Sequence, residues 1–298
     1  MVLEGLINPL KAEKKPWKLF FIGFIYASIA LLLALWIFET HASLVMVFLT
    51  VLVCVPLVYG MFKLEEKKDI ELPTEYKILK EHAKALSFLV FLFLGICVAY
   101  SVWYTFLPSE ITNSAFSVQQ QTITNINQQI TGNILNQTTS YSTQISTEAI
   151  SRSSLFLKIF LNNMKVLSFC ILFSFIYGFG AIFILTWNAS VIGAAIGNFI
   201  RSNLSYIADS VGFAKVAGYF QIFSLGLLRY SIHGIPEIIA YFTAGLAGGI
   251  ISIAIVNHDF RTRNFQKVIT DSADLILISV GVLLIAAILE VFVTPVLF

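Results

Sequence analysis

Seven long apolar runs constrain the fold of this 298-residue chain more than any other feature of its sequence. A helix needs about 20 residues to cross the hydrocarbon core of a bilayer, and a spanning segment must satisfy its backbone polar groups internally. Only 12% of the residues are charged, about half the share found in soluble proteins. The sequence therefore predicts an all-α, polytopic integral membrane helix bundle of about seven transmembrane helices. The runs are 18–38, 43–62, 85–107, 166–187, 211–230, 233–256 and 274–297.

Basic residues predict the orientation of these helices. The segment 63–84 contains six Lys and is expected to be a cytoplasmic loop, because loops on that side are enriched in Lys and Arg. This loop either only fixes the topology or also docks a soluble partner. The N-terminus is then cytoplasmic, while 108–153 and the C-terminus are external. In this arrangement, four basic residues lie outside: Arg152, Lys158, Lys165 and Arg229.

The two segments at 1–16 and 112–148 differ from the apolar runs. Residues 1–16 are predicted either to lie on the membrane surface or to form a frayed tail. In 112–148, 25 of 37 residues are Ser, Thr, Asn or Gln, which is typical of disorder. However, Phe116, Ile123 and Ile130 are spaced by seven residues, which favours an external helical projection. The sequon at Asn136 is compatible with glycosylation.

A glycine-rich segment near 188–205 is too short to be predicted as a separate crossing. It contains Gly193 and Gly197, a pair whose spacing suits close helix approach. We expect a broken or re-entrant segment here, covered by protein or lining a cavity. Further helix-packing glycines are predicted at Gly245, Gly248 and Gly249.

Polar residues within the apolar runs are candidates for a functional site. A carboxylate at membrane depth costs about 3 kcal/mol on insertion scales and therefore needs a partner or a cavity. His233 and Glu237 are four residues apart and share one helix face, and Glu290 is expected at a similar depth. The predicted polar cluster in the membrane consists of Arg229, His233, Glu237, Glu290, Asn163 and Asn188.

Four interpretations of this cluster remain open at this point. It could be a structural ion-pair network, a proton- or ion-linked site, a metal site, or an intramembrane hydrolase. Metal binding is less favoured because catalytic zinc normally recruits a further His or Cys. The chain contains no HExxH motif and no phosphate-binding glycine loop. Cys54, Cys97 and Cys170 lie inside apolar runs without metal or disulfide spacing. We predict no catalytic residues, no metal and no cofactor.

Three motifs resemble the SpoIIM family, also called the stage II sporulation protein M family. They are HG-x-x-E at 233–237, AGLAGG at 244–249 and AAILEVFVTP at 286–295. The stretch WNASVIGAAIG at 187–197 is similar to a further family pattern. The resemblance covers about 155–298 and departs from the family at Ile232, usually Pro, and at Ala189, often Gly.

The resemblance implies a non-enzymatic, multi-spanning scaffold. The named member acts in forespore engulfment together with cell-wall-degrading partners, and some relatives lie beside transporter or ATPase genes. The polar composition of 112–148 points to an archaeal member. The expected partners are membrane lipid and envelope or membrane proteins, with a homodimer compatible with the glycine pairs and no nucleic acid. A permease passing an ion or small solute past Glu237, His233 and Glu290 is the alternative function.

The chain is expected to have three parts. Residues 1–107 form an interfacial segment and three spans, 108–153 the external polar projection, and 154–298 the SpoIIM-like membrane domain.

Overall fold

The computed structural model describes the backbone of residues 9–125, 144–174, 179–204, 213–257 and 262–294. Side chains within helices are described except at 9–11, 144–151, 179, 203–204 and 213–233. All regular elements in these ranges are helical, and we number them in chain order. The helices are α1 (Pro9–Lys14), α2 (Trp17–Ile37), α3 (Ala42–Glu71), α4 (Glu75–Phe106), α5 (Ser109–Ala115), α6 (117–125), α7 (Gln144–Ser174), α8 (Phe179–Leu204), α9 (Phe213–Asn257) and α10 (Arg263–Ile288). A 3-10 turn (Glu39–His41) precedes α3, and a π-helical turn (Leu289–Val293) follows α10.

The prediction of an all-α membrane bundle with seven spans is confirmed. Seven helices in the described part of the chain are long and apolar enough to cross a membrane. The helical stretches that contain these spans are Trp17–Ile37, Glu39–Glu71, Glu75–Phe106, Arg152–Ser174, Gly180–Ser202, Gly234–Asn257 and Arg263–Val293.

The boundaries of the fourth and fifth spans differ from the sequence prediction. The run 166–187 is not one helix, because Gly180 of α8 lies directly against Phe173 of α7. Two residues seven positions apart in one helix would be separated by about 10 Å along its axis. The segment expected to be broken or re-entrant near 188–205 instead lies, as far as Leu204, inside the unbroken helix α8. The predicted fourth span is thus divided between two helices, which adds one span. The total stays at seven because the described part of the predicted fifth span, 211–230, belongs to the same helix as the sixth, 234–257.

Glycine contacts explain why the glycine-rich segment continues as a helix. A Cβ atom added to Gly193 would lie 2.8 Å from the carbonyl oxygen of Cys97, and one on Gly197 would lie 2.7 Å from the Cβ of Tyr104. These glycines therefore allow α8 to pack directly on the backbone of α4, as small residues do in membrane bundles. The pair Gly193 and Gly197 therefore indicates a contact between two helices and not a break in one helix.

Equally close contacts join other helices of the core. A Cβ atom on Gly95 of α4 would lie 2.0 Å from the carbonyl oxygen of Phe20 in α2. Such an atom on Gly249 of α9 would lie 2.5 Å from the ring of Phe62 in α3. The remaining predicted packing glycines, Gly245 and Gly248, face Ala181 and Ser174 at 2.6 and 2.8 Å.

The two ends of the bundle have different chemistry. We call the end that carries 63–84 the charged end, and the end that carries 107–125 the polar end. At the charged end, 63–71 and 75–84 continue α3 and α4, so that only 72–74 form a loop. With a rise of 1.5 Å per residue, this charged hairpin extends about 13 Å beyond the apolar parts of its helices. The sequence predicted a loop over 63–84 with a short helix after Pro73. The structure has the helix after Pro73, but it also continues α3 to Glu71, so that the loop shrinks to three residues.

At the polar end, the start of the polar segment packs onto the bundle. Gln119 is fully buried, and its side-chain amide donates hydrogen bonds to the carbonyl oxygen of Ser43 (3.3 Å) and the hydroxyl of Ser190 (3.2 Å). Its carbonyl oxygen accepts one from Ser43 Oγ at 2.6 Å. Phe116 is buried against the rings of Tyr100 and Tyr104. The predicted sequon at Asn136 lies outside the described residues.

Candidate functional site

The charged hairpin contains buried ionisable side chains that the sequence analysis assigned to a solvated loop. Glu65, Asp69 and His82 are each no more than 1% exposed. Glu65 and Asp69 are four residues apart and share one face of α3, so both point toward α4. We call Glu13, Glu65, Lys68, Asp69 and His82, together with Lys267 and Asp271 of α10, the charged cluster.

His82 lies between two carboxylates in the middle of the charged cluster. Its Nδ1 is 2.9 Å from Oε2 of Glu65, within hydrogen-bond distance. Its Nε2 is 3.1 Å from Oδ1 of Asp69, which is a close ion-pair contact whose angle does not meet hydrogen-bond geometry. Because both ring nitrogens face carboxylates, a protonated imidazolium is the form that fits this position.

Lys68 extends the charged cluster to a third helix. Its Nζ donates hydrogen bonds to Glu65 Oε1 at 2.7 Å and to Glu13 of α1, and lies 3.1 Å from Glu81 Oε2. Glu13 itself is 7% exposed. The ion pairs therefore run from α1 through Lys68 and Glu65 to His82 on α4.

Helix α10 completes the charged cluster. Lys267 donates a hydrogen bond to the carbonyl oxygen of Leu72, which is the first residue of the short loop between α3 and α4. The carboxylate of Asp271 interacts electrostatically with Asp69, Lys267 and His82. Lys267 therefore connects the N-terminal part of α10 to the tip of the hairpin.

The pKa values in the charged cluster follow from burial and pairing, since these groups lie beyond the apolar parts of the helices. Burial alone would lower the pKa of His82, but the carboxylates of Asp69 and Glu65 raise it to about 9. Burial raises the pKa of Asp69 and of Glu13 above the usual carboxyl values, although His82 and Lys68, respectively, oppose this. At neutral pH, His82 is therefore charged and neutralises part of the surrounding negative charge.

The sequence contains a signal that could have revealed this cluster. The buried face of α3 continues at helical spacing from Val58 through Phe62 to Glu65 and Asp69. Acidic residues in the register of a core face point inward, not to solvent. The six lysines of 63–84 led instead to the prediction of a loop, so this register was overlooked.

The predicted polar residues in the membrane are only partly brought together. The hydroxyl of Tyr241 donates a hydrogen bond to Glu237 Oε1 at 2.6 Å. Glu290 lies on the π-helical turn and is close enough to interact electrostatically with Glu237 and Tyr241. Sequence reasoning did not include Tyr241, although it lies one helical turn after Glu237. The side chains of Arg229 and His233 lie outside the described residues.

The two predicted asparagines lie elsewhere. Asn163 is buried within α7. Asn188 donates a hydrogen bond to the carbonyl oxygen of Ile184, one turn earlier in its own helix α8. Neither has a recorded hydrogen bond to Glu237 or Glu290 among the described side chains.

At the polar end, Arg201 joins α8 to the end of α4. Its guanidinium donates hydrogen bonds to the carbonyl oxygen of Leu107 (3.2 Å), to Thr112 Oγ1 (3.1 Å) and to Ser109 Oγ (2.8 Å). A cation is favourable beside the free carbonyl groups at a helix C-terminus. The orientation count places Arg201 on the cytoplasmic side, whereas the structure puts it at the polar end.

Seven apolar helices, packed through glycines and closed at each end by polar contacts, define a multi-pass α-helical membrane protein. A family model described as Stage II sporulation protein M matches residues 85–295. This match covers most of the chain, and the chain therefore belongs to the SpoIIM family. The match begins with the third span, and so extends further toward the N-terminus than the motif resemblance at 155–298. SpoIIM is not a known enzyme family. Searches of curated proteins and of solved structures find no match.

Proposed function

We propose that this protein is a non-enzymatic membrane scaffold that recruits or positions partner proteins through its charged hairpin. The observation that carries the proposal is that an ion pair to α1 and a hydrogen bond to α10 hold the hairpin in place while its outer face remains open. On that face Tyr76 is 76% exposed and Leu79 is 43% exposed, with exposed Lys80 beside them. In this proposal the charged end is cytoplasmic, because the hairpin carries six lysines.

Stiffness supports a docking role for this hairpin. Binding to a mobile loop costs the conformational entropy of ordering that loop, whereas a preformed surface avoids much of this cost. The charged cluster connects α3 and α4 to α1 and α10, so the hairpin is held in place before any partner arrives. A tyrosine beside a leucine and a lysine provides apolar area and a charge at one place, and tyrosine is a frequent anchor in protein interfaces.

The packing of the core favours a scaffold over the permease alternative. At Gly95, Gly193 and Gly197, helices of the described core approach to backbone contact. A pathway for a solute between these helices would require the contacts to separate. Rigid contacts of this kind instead suit a protein that holds its surfaces at fixed positions.

The permease alternative rests on one specific observation, the acidic pair in the membrane. Glu237 and Glu290 interact electrostatically, and Glu290 lies on a π-helical turn. Acids at membrane depth often belong to ion pathways, and π-helical turns are frequent at functional sites. A scaffold tolerates Glu237→Gln if the fold survives, whereas a permease loses flux.

The test is crosslinking mass spectrometry on native membranes from cells that express the protein at equal levels. Four chains are compared: wild type, Tyr76→Ala/Leu79→Ala, Glu237→Gln, and Lys67→Ala as the matched control on the hairpin. Lys67 is exposed and forms an ion pair with Glu71, which is also exposed, one turn away. We expect one or two specific partners to be captured through 63–84 by wild type, Glu237→Gln and Lys67→Ala, and lost in the double variant.

Two results would contradict the proposal. One is the capture of the same partners at the same yield by the double variant. The other is no specific capture by the wild type, together with an ion or solute flux in proteoliposomes that Glu237→Gln abolishes. The second result would establish the permease instead.

A further inference from the structure

Helix α7 is the most exposed of the candidate spans in the described part of the chain. Only 17% of its apolar window is buried, against 83% for the spanning part of α9. Two lysines, Lys158 and Lys165, lie on its exposed surface. They are seven residues apart, so they point in nearly the same direction and lie about 10 Å apart along the helix.

Lys165 lies deep within the span. It is nine residues before Ser174, which corresponds to about 13 Å of helix. Ser174 packs against Gly248, and the next residue, Gly249, contacts Phe62 immediately before the charged hairpin. The Ser174 end of α7 therefore faces the charged end of the bundle. Lys165 lies near the middle of the span Arg152–Ser174, and Lys158 lies two turns closer to the polar end.

A lysine at such a depth requires an anion or access to the headgroup layer. Insertion scales assign about 3 kcal/mol to a lysine at the centre of a span. No carboxylate of the described side chains forms an ion pair with Lys158 or Lys165. The Cα–Cβ bonds of α7 tilt toward its N-terminus, and long lysine side chains extend toward the interface. Both ammonium groups therefore reach toward the headgroups at the polar end.

A groove surrounds Lys165 on this face. Its volume is about 420 Å³, which is within the range of small-molecule sites, about 300–1,000 Å³. The described residues that line it are Leu161, Met164, Lys165, Ser168, Phe169 and Leu172. Apolar side chains thus lie on both sides of the lysine: Leu161 lies toward the polar end, and Phe169 and Leu172 continue toward the charged end.

We propose that this face of α7 binds an anionic phospholipid of the leaflet at the polar end. Lys158 contacts the phosphate, Lys165 extends toward it from two turns below, and an acyl chain lies along Leu161 and Phe169. Charge complementarity selects this occupant, because the stripe carries positive charge toward the polar end and apolar side chains below it. An anionic phospholipid of that leaflet carries negative charge at the same end and acyl chains below. The proposal is independent of the scaffold function, since it concerns a different face of the molecule.

The experiment uses the full chain in nanodiscs of two compositions: phosphatidylcholine alone, or phosphatidylcholine with roughly 20% phosphatidylglycerol. The second composition provides enough anionic lipid to saturate a weak site. Native mass spectrometry after release from the nanodiscs counts retained lipid. We expect wild-type protein to retain phosphatidylglycerol, Lys165→Gln to retain about tenfold less, and Lys165→Arg to retain it as the wild type does, because arginine also binds phosphate.

The matched control is Arg152→Gln, which removes one positive charge from the same helix. Arg152 is exposed and lies about 120° around the helix from Lys158, so we expect retention to be unchanged. Equal retention by wild type and Lys165→Gln would overturn the proposal, as would an equal loss in Arg152→Gln. A crosslink from Lys165 to a second copy of the chain in phosphatidylglycerol nanodiscs would also overturn it.

Discussion

Removal of His82 should destabilise the charged hairpin strongly. The change His82→Gln leaves Glu65 and Asp69 buried beside each other without the cation that lies 2.9 and 3.1 Å from them. Breaking a buried ion pair on one side costs about 3–5 kcal/mol. The raised pKa of about 9, compared with about 6.5 in an unfolded chain, corresponds to about 3 kcal/mol of stabilisation by the proton. The two approaches agree in magnitude.

The same pKa shift fixes the pH dependence of the effect. Because the folded-state pKa of His82 is raised, its stabilisation is complete below about pH 6.5 and is lost as the pH rises through about 9. Asp69 and Glu13, which are buried, and Lys68 and Asp271, which are half-buried, also face this part of the hairpin. The raised pKa values of Asp69, Glu13 and Asp271 also lower the free energy of unfolding as the pH rises, beginning near pH 4. We therefore expect wild-type stability to fall between pH 6.5 and pH 9.

The assay is thermal unfolding of the purified protein in detergent, followed by tryptophan fluorescence at several pH values. At pH 6.5 we expect the Tm of His82→Gln to lie on the order of 10 °C below that of the wild type. The difference should shrink as the pH approaches 9. A control change, Lys67→Gln, disrupts an exposed pair with Glu71 and should alter stability by less than about 1 kcal/mol. A wild-type Tm that stays constant from pH 6.5 to 9, or a constant difference from His82→Gln, would refute the role of the imidazolium.

Two further pairs of variants test the packing and the membrane acids by the same Tm measurement. Gly95→Ala should lower the Tm, because its Cβ would lie 2.0 Å from the carbonyl oxygen of Phe20 and overpacking costs about 1–3 kcal/mol. Gly281→Ala is its control, since nothing lies within 4 Å of a Cβ there, and equal Tm values would disprove the close approach of the two helices. Glu237→Ala should lower the Tm by more than Lys67→Ala, because it removes the acceptor of the Tyr241 hydrogen bond and leaves a hydroxyl without a partner. Equal Tm values in that second pair would exclude a structural role for the membrane acid.

The number of spans could be predicted from the sequence because uninterrupted apolar length is a direct consequence of bilayer thickness. The division of 166–205 could not, since glycine has two opposite meanings in a membrane helix. It permits a break, and it also permits another backbone to approach. Gly193 and Gly197 have the second role, which depends on the position of α4 and therefore on the tertiary structure.

The charged cluster was missed for a related reason. A sequence rich in Lys and Glu normally indicates a solvated loop, and the pairing of His82 with Glu65 joins residues on different helices. The helical register of Glu65 and Asp69 was available in the sequence, but the packing of α4 over them was not, because it depends on the tertiary structure. In contrast, Glu237 was recognised as a candidate directly, because an acid within an apolar run is unusual wherever its neighbours lie.

The burial of Gln119 links the polar segment mechanically to the membrane bundle. Its amide is bonded to Ser43 at the start of α3 and to Ser190 within α8. A force that pulls on the polar segment at residue 125 is therefore transmitted through Gln119 to two spanning helices, α3 and α8. Because the same helix α3 continues into the charged hairpin, a force applied at the polar end acts on a helix that reaches the charged end.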